Sequence, residues 1–507
     1  MKSSNDNNTK KKKIKQIDMK EHIKKRSMWA GSKSNQVQEV YLLSEYEDQY
    51  SGEKHKIFKS EEVKYPPALY KIIDEIAVNS VDHYVNNMKE VTEIKFNLYD
   101  DGSISVYNNG PGIHIEETKN IQGVTMYTPQ LIFSEFLAGS NLDDIEETER
   151  IVGGQNGLGA KITAVFSDYL TIETLDTISK IKYTQTFRNG LDIVEAPELI
   201  KIKKKSESYT CIRFLPTYNE FKLNIDTIHK TLYKLIEARA WQVAAYTGIK
   251  VYFNDVLIPL KSFTQFCSMF TENIYSTTMT GDNLYPWEIC IGLTDGKEKQ
   301  ISMVNGVFIN SGGTHIKHIQ NHIVTNIKPK IEKELKRSKT TFNKNILLNG
   351  IFIFMKGSIP NPEFLSQTKD AISNAISKFE SYSINPNEWT KIWKFIEPSI
   401  MASFLKRQLG NEKIRANRGK VDVPKYREAN YCRNSKKCHE CGLIITEGDS
   451  ASGTAETGLL SKASPNFNFD WFGVYGIQGV MVNGLKESVE YKKESTKKTK
   501  KKLEEKS

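Results

Sequence analysis

"DEIAVNSVDH", residues 74–83, is the stretch on which the fold turns. Ile72, Ile73, Ile76, Ala77 and Val81 fall at helical spacing along one face, and Glu75, Asn79 and Asp82 form a second stripe beside them. A surface helix usually fills that flank with Lys–Glu pairs that favour solvent. Two readings of the stripe are open. It is either a boundary face with one partly buried, satisfied Asn, or the wall of a site that needs a carboxylate and an amide.

Outward from this helix, "EIKFNLYDDGSISVYNNG" alternates around Asp-Asp-Gly and predicts a hairpin that ends in Asn108-Asn109-Gly110-Pro111-Gly112. Helical periodicity returns near 128–138, and an acidic stretch, "NLDDIEETER", leads into "IVGGQNGLGAKITAVFSDYL". Strand and turn continue to about 216, and a long helix follows near 226–247. A second strand-rich unit holds "IKVYFNDVLI" and "ISMVNGVFINSGGTH" and closes on "GIFIFMKGSIPNPEFLSQTKD". A helix near 387–415, a polar segment and "CGLIITEGDSASG" complete the pattern, with no internal repeat.

A chain of 507 residues is too long for one hydrophobic core, and 38% hydrophobic content suffices for several. No apolar run is long enough to span a bilayer, and the Lys-rich start lacks the apolar segment of a secretory signal, so a soluble intracellular protein is expected. Six cysteines suggest no disulfide framework. The net charge of +10 sits at the ends: residues 1–26 hold ten Lys/Arg against three Asp/Glu, and residues 486–507 hold nine Lys against five Glu. The body is close to neutral, so an argument for DNA has to come from specific sites.

In "GGQNGLGAK", residues 153–161, glycines let the backbone approach a phosphate, and a helix N-terminus follows. A plain flexible loop has the same composition, and the spacing matches neither the Rossmann fingerprint nor the Walker loop. The order of motifs adds what each lacks. A helix with Glu and Asn four apart, a strand ending in N-x-G-x-G, then G-x-N-G-x-G-A-K resembles the GHKL ATPases. "YPPALYKIIDEIAVNSVDH", "VYNNGPGI", "AGSNLDD", "GGQNGLGAK", "NPEFLSQTKD" and "LIITEGDSASG" together resemble the ATPase half of eukaryotic-type DNA topoisomerase II, including the enzymes of large DNA viruses, over residues 20–485.

That resemblance implies an α+β chain: a basic disordered tail or arm over 1–25, a GHKL (Bergerat) ATPase sandwich over 26–247, a transducer domain over 248–400, a helical and polar linker over 401–437, an incomplete TOPRIM segment over 438–485 and a basic tail over 486–507. It implies ATP and Mg²⁺ as cofactors. Glu75 would be the general base toward the γ-phosphate, Asn79 would place the ATP-bound Mg²⁺, and Asn108 would meet the adenine. Ser140 and Asn141 would meet ribose and phosphates, and Gly154, Gln155, Asn156, Gly157, Leu158, Gly159, Ala160 and Lys161 would close over the phosphate chain. Gln367, Thr368 and Lys369 would reach the nucleotide from the second domain, with Lys369 supplying charge at the γ-phosphate.

In the basic stretch Lys336, Arg337 and Lys339, a solvated loop and a contact to the transported DNA are both open. His315 reads as structural. Cys432, Cys438 and Cys441 with His439 have a zinc-like spacing, but only three cysteines cluster and the resembled family has no metal there. Glu447 would hold a TOPRIM Mg²⁺ if a later Asp-x-Asp completed it; none follows, and "YGIQGV" stands where relatives carry a basic P-L-R-G-K. The expected function is therefore the ATP-hydrolysing, ATP-dimerised clamp of a type II topoisomerase. It would act on double-stranded DNA, without a membrane, and would need a cleavage core from a separate subunit or a missing part. The chain would be a split subunit, a truncated product or a fragment, located in a nucleus or at a viral replication site. The alternative is an ATP-gated DNA clamp or scaffold without topoisomerase activity.

Overall fold

The computed structural model describes residues 16–47, 54–139, 151–154, 157–203, 206–282, 285–294, 296–336, 341–416, 426–432, 437–460 and 467–477. The chain divides into two compact units, Met1–Gln408 and Leu409–Ser507.

In the first unit the "DEIAVNSVDH" stretch lies within the helix Pro67–Asn86, which starts at a proline in its first turn, where a missing N–H costs nothing. The expected hairpin forms from Glu93–Leu98 and Ile104–Asn109, antiparallel with Leu98 opposite Ile104. Burial alternates along Glu93–Leu98, so Ile94, Phe96 and Leu98 face the core. These strands join a nine-stranded sheet, counted among the described residues, that reaches through Lys250–Phe253 and Val256–Leu257. Pro67–Asn86, Gly159–Val165 and Ile225–Thr247 pack on this sheet and share its core.

A second sheet of six strands, again among the described residues, spans Ile274–Thr280 to Ser383–Ile384. Ile316, Ile319, Ile323, Ile327, Ile331 and Leu335 recur every three or four residues along helix Thr314–Leu335 and are all buried in this sheet's core. Trp389, Ile392, Trp393, Ile396 and Ile400 do the same from helix Glu388–Ala416. The hairpin turn Asn305-Gly306, with φ of +50° and +74°, matches the Asn-Gly turn chemistry of a two-residue connection. Gly306 is required there: a Cβ would stand 2.4 Å from Val81 Cγ1 on the helix Pro67–Asn86. The turn thus seats the second sheet against the first sheet's helix.

The expected disordered tail over 1–25 extends too far. Met19–Lys25 is a helix, capped by Asp18 accepting from the Glu21 amide at 2.7 Å and held by Ile23, which is buried. One apolar anchor and one cap outweigh the local excess of lysine.

In the second unit Gly442–Glu447 runs parallel to Phe472–Ile477, which pairs antiparallel with Tyr426–Arg427. Helix Gly448–Leu460 follows the first of these strands, and Leu459, Phe469 and Val474 form a small core.

Candidate active site

Glu75 is 2% exposed, on a turn of helix where every residue from Lys71 to Val78 is buried. Two ammonium groups approach the same carboxylate oxygen, Oε1: Lys71 Nζ at 2.7 Å, one turn earlier, and Lys369 Nζ at 3.5 Å. Lys369 arrives from the loop behind the second sheet, with a left-handed backbone (φ +60°) that a non-glycine residue rarely adopts. Its amide donates to the Ser366 carbonyl at 3.0 Å, and that tight turn drives the side chain inward to 4% exposure. Burial pushes the Glu75 carboxyl up, but Lys369 and Lys71 outweigh burial and hold it below the ordinary carboxylate range. An ionised carboxylate with little water around it is what a general base requires.

Asn79, one turn on, is the exception on this helix face, being exposed where its neighbours are buried. It opens into a cavity of about 260 Å³ that Glu75 and Lys369 also line. Its side chain has no hydrogen-bond partner among the described residues. An amide oxygen at the cavity wall suits Mg²⁺, which takes few protein ligands and fills its octahedron with phosphate oxygens and water.

The next turn brings Asp82, whose Oδ1 accepts from the Gly153 amide at 2.7 Å and Oδ2 from the Gly154 amide at 2.8 Å. This carboxylate anchors the start of the glycine loop. Burial pushes its pKa up to about 6 even against those two donors. The loop then enters helix Gly159–Val165 directly over Glu75. A Cβ on Gly159 would lie 2.2 Å from Glu75 Oε2, so any larger residue here would have to displace that carboxylate. Lys161, buried, donates to the Ala138 carbonyl, and burial lowers its pKa to about 8.

Asn108, the penultimate residue of strand Ile104–Asn109, also lines the cavity; it is buried, with Nδ2 donating to the Asn109 carbonyl at 3.1 Å. Ile113, Phe133 and Ile212 line the same cavity with apolar surface, the kind of slot a purine ring needs, and Thr210 adds a hydroxyl.

The structure therefore gathers Glu75, Asn79, Asn108, Gly154, Gly157, Leu158, Gly159, Ala160, Lys161, Gln367 and Lys369 around one cavity. Thr368 departs from the expectation. It does not line that cavity; its hydroxyl turns to Asp370 and its carbonyl accepts from Lys71 Nζ at 3.5 Å, because the left-handed turn at Lys369 points successive side chains apart. Ser140, Asn141, Gln155, Asn156, Arg337 and Lys339 lie outside the described residues. Lys336 is exposed at the end of helix Thr314–Leu335, and Glu447 is exposed at the end of its strand. His315 is fully buried, with Nε2 2.9 Å from Ser302 Oγ, and burial lowers its pKa to about 3, which suits the structural reading. Cys432 Sγ donates to Glu428 and Cys441 Sγ to the Lys437 carbonyl; among the described residues no three His, Cys, Asp or Glu side chains gather as for a metal.

Sequence reading missed Lys71, and it missed Asp82 as the loop anchor. It also missed Asn305. This residue is fully buried, donates from Nδ2 to Ile359 O at 2.9 Å and to Val152 O at 3.4 Å, and accepts from the Ile359 amide at 2.8 Å. One amide thereby ties the root of the glycine loop to the root of the Lys369 loop. The helical spacing of Lys71 from Glu75 and the Asn-Gly turn were signals present in the sequence.

A family model described as DNA gyrase B matches residues 259–393. The DNA topoisomerase 2 of Penicillium chrysogenum is 32% identical over 93% of this chain and 29% of its own length. That of Acanthamoeba polyphaga mimivirus is 32% identical over 84% of this chain and 33% of its own length. The crystal structure of the ATPase region of Saccharomyces cerevisiae topoisomerase II superposes with a TM-score of 0.65 at 29% identity, covering 77% of this chain and 98% of that one. The chain thus spans about a third of the length of the curated relatives it matches, and nearly all of the solved ATPase region.

Proposed function

The chain corresponds to the ATPase half of eukaryotic-type DNA topoisomerase 2, and from that premise we propose that it hydrolyses ATP to work a dimeric clamp that serves DNA strand passage. The observation that carries this reading is the buried Glu75 carboxylate, kept charged by Lys71 and Lys369 at the wall of a cavity roofed by the glycine loop. Asn108 and the apolar slot would hold adenine, and Asn79 would hold Mg²⁺ on the phosphates. Bound there, the metal neutralises charge that develops as the γ-phosphoryl group departs. Glu75 orients the attacking water and takes its proton. Lys369, on a loop of the second sheet, stabilises the phosphate oxygens and so links hydrolysis to movement of that sheet.

Double-stranded DNA, a second copy of the chain joined on ATP binding, and the cleavage chemistry, carried by further sequence of the same protein or by another subunit, are the partners this reading assigns. Lys336, Arg337 and Lys339 would touch the DNA, and Glu447 would serve a completed TOPRIM metal site. The place of action would be a nucleus or a viral replication site. An ATP-gated scaffold without strand passage is disfavoured by the match to topoisomerase 2 relatives through 93% of the chain.

The direct test is Glu75→Gln. It should abolish Mg²⁺-dependent hydrolysis while a non-hydrolysable ATP analogue still binds, because adenine and phosphate contacts remain. Wild-type turnover in this variant would remove the base from the mechanism.

A further inference from the structure

A run of buried charges leads away from Glu75 that the hydrolysis above does not use. Arg239, on helix Ile225–Thr247 and 2% exposed, places Nε 2.7 Å from Asp74 Oδ1 and donates from Nη2 to the Gly306 carbonyl at 2.9 Å. Asp74 Oδ2 lies 3.7 Å from Lys71 Nζ, which in turn sits 2.7 Å from Glu75 Oε1. Positive and negative groups alternate from the domain interior to the cavity wall. Neither Lys71 nor Asp74 lines the cavity that holds Glu75, so neither is placed to touch a nucleotide there. Charges this deep are costly to bury, and breaking such a run is costlier than replacing it.

The two cations on Glu75 differ in how they are attached. Lys71 shares its helix, lies one turn away and is itself fixed by Asp74 and by the Thr368 carbonyl at 3.5 Å. Lys369 comes from another sheet, at 3.5 Å, on a loop. A phosphate entering the cavity competes for Lys369, since ammonium–phosphate hydrogen bonds are among the strong ones.

We propose that Lys71 is a positioning residue for hydrolysis: it is the permanent counter-ion that aims the Glu75 carboxylate and keeps it unprotonated when Lys369 turns to the phosphate, and Asp74 and Arg239 hold it in place. The proposal rests on Glu75 being the base. Without a cation beside it, burial raises the Glu75 pKa, and a protonated base cannot accept the proton of the attacking water. The other charged groups that bear on this centre are Asp74 and Asp82 on its own helix, which disfavour its charge, and Asp370, which faces Lys71. Gly159, packed on the carboxylate, brings only backbone.

The test compares Lys71→Gln, which fills the space without charge, with Lys71→Arg, which keeps the charge, reading analogue affinity, kcat and the acidic limb of the kcat–pH profile. Lys71→Gln should bind the analogue within about twofold of wild type, lose roughly 10²-fold in kcat and move the acidic limb upward by about one pH unit. Lys71→Arg should restore the limb and most of the rate. A folded Lys71→Gln with wild-type rate and limb overturns the proposal. So does a rate loss that leaves the limb in place and is not recovered by arginine, which marks a packing role. If Lys71→Gln does not fold, Lys71→Arg still decides: a shifted limb, or lost hydrolysis with intact binding, counts against it. Wild-type hydrolysis by Glu75→Gln sinks the reading of the base instead, a result distinct from any of these.

Discussion

Asp82 holds the glycine loop by two backbone N–H groups, and its charged form is the better acceptor for both. With its pKa pushed up to about 6 in the folded protein, it binds a proton between about pH 4 and 6 that the unfolded chain has already released. The folded state therefore loses stability at this group as pH rises through that window, while the loop anchor strengthens. Folding and nucleotide binding should move in opposite directions: from pH 5 to 7 the analogue binds more tightly and the Asp82 contribution to Tm falls. Asp82→Asn, compared with wild type in parallel titrations of affinity and melting, should remove both pH-dependent components. A variant that leaves both profiles unchanged would deny Asp82 this role. The residue was visible in the sequence as the third member of the Glu75–Asn79–Asp82 stripe. Its partners were not, because the Gly153 and Gly154 amides lie 71 and 72 residues away and only the folded chain brings them close.

Among the elements, helix Pro67–Asn86 and the hairpin after it were legible because their periods, 3.6 and 2, are strong local signals reinforced by turn residues. The order of helix, strand and glycine loop supplied the site. What local pattern could not supply is the contact between elements: Arg239 reaches Asp74 across 165 residues, and Lys71 reaches the Thr368 carbonyl across 297. Helix Gly159–Val165 gives a test at this scale. Its first residue packs on Glu75, the proposed base, and the nearest atom to an added methyl is the far end of that side chain rather than backbone. Gly159→Ala should thus leave the fold intact and displace the carboxylate itself. Since a shift of about 1 Å in a reacting group costs on the order of 10²-fold, kcat should fall by about that factor while the melting temperature changes little. A large loss of stability with normal turnover per folded molecule would show that the helix moves and the base does not.

For the molecule as a whole, the two sheets of the first unit meet where their loops line one cavity. Asn305 pins the glycine loop to the Lys369 loop, and Gly306 sits on Val81, so a nucleotide held by one loop would be felt at the other. On the proposed function this coupling would belong to a clamp, whose work would need a second copy and DNA. Strand cleavage needs more. Glu447 stands at the end of its strand, and the chain matches only about a third of its curated relatives' length. A polypeptide of these 507 residues should hydrolyse ATP yet leave supercoiled plasmid unrelaxed and form no covalent adduct with it under Mg²⁺ and ATP. DNA should still bind through lysine-rich stretches, with affinity falling steeply as salt rises, because that binding is driven by counterion release. Adding a protein that carries the cleavage core should bring relaxation that depends on Glu75. Relaxation by these residues alone would mean that Glu447 finds its metal partners within this chain, and relaxation that survives Glu75→Gln in the mixture would uncouple the clamp from the passage of DNA.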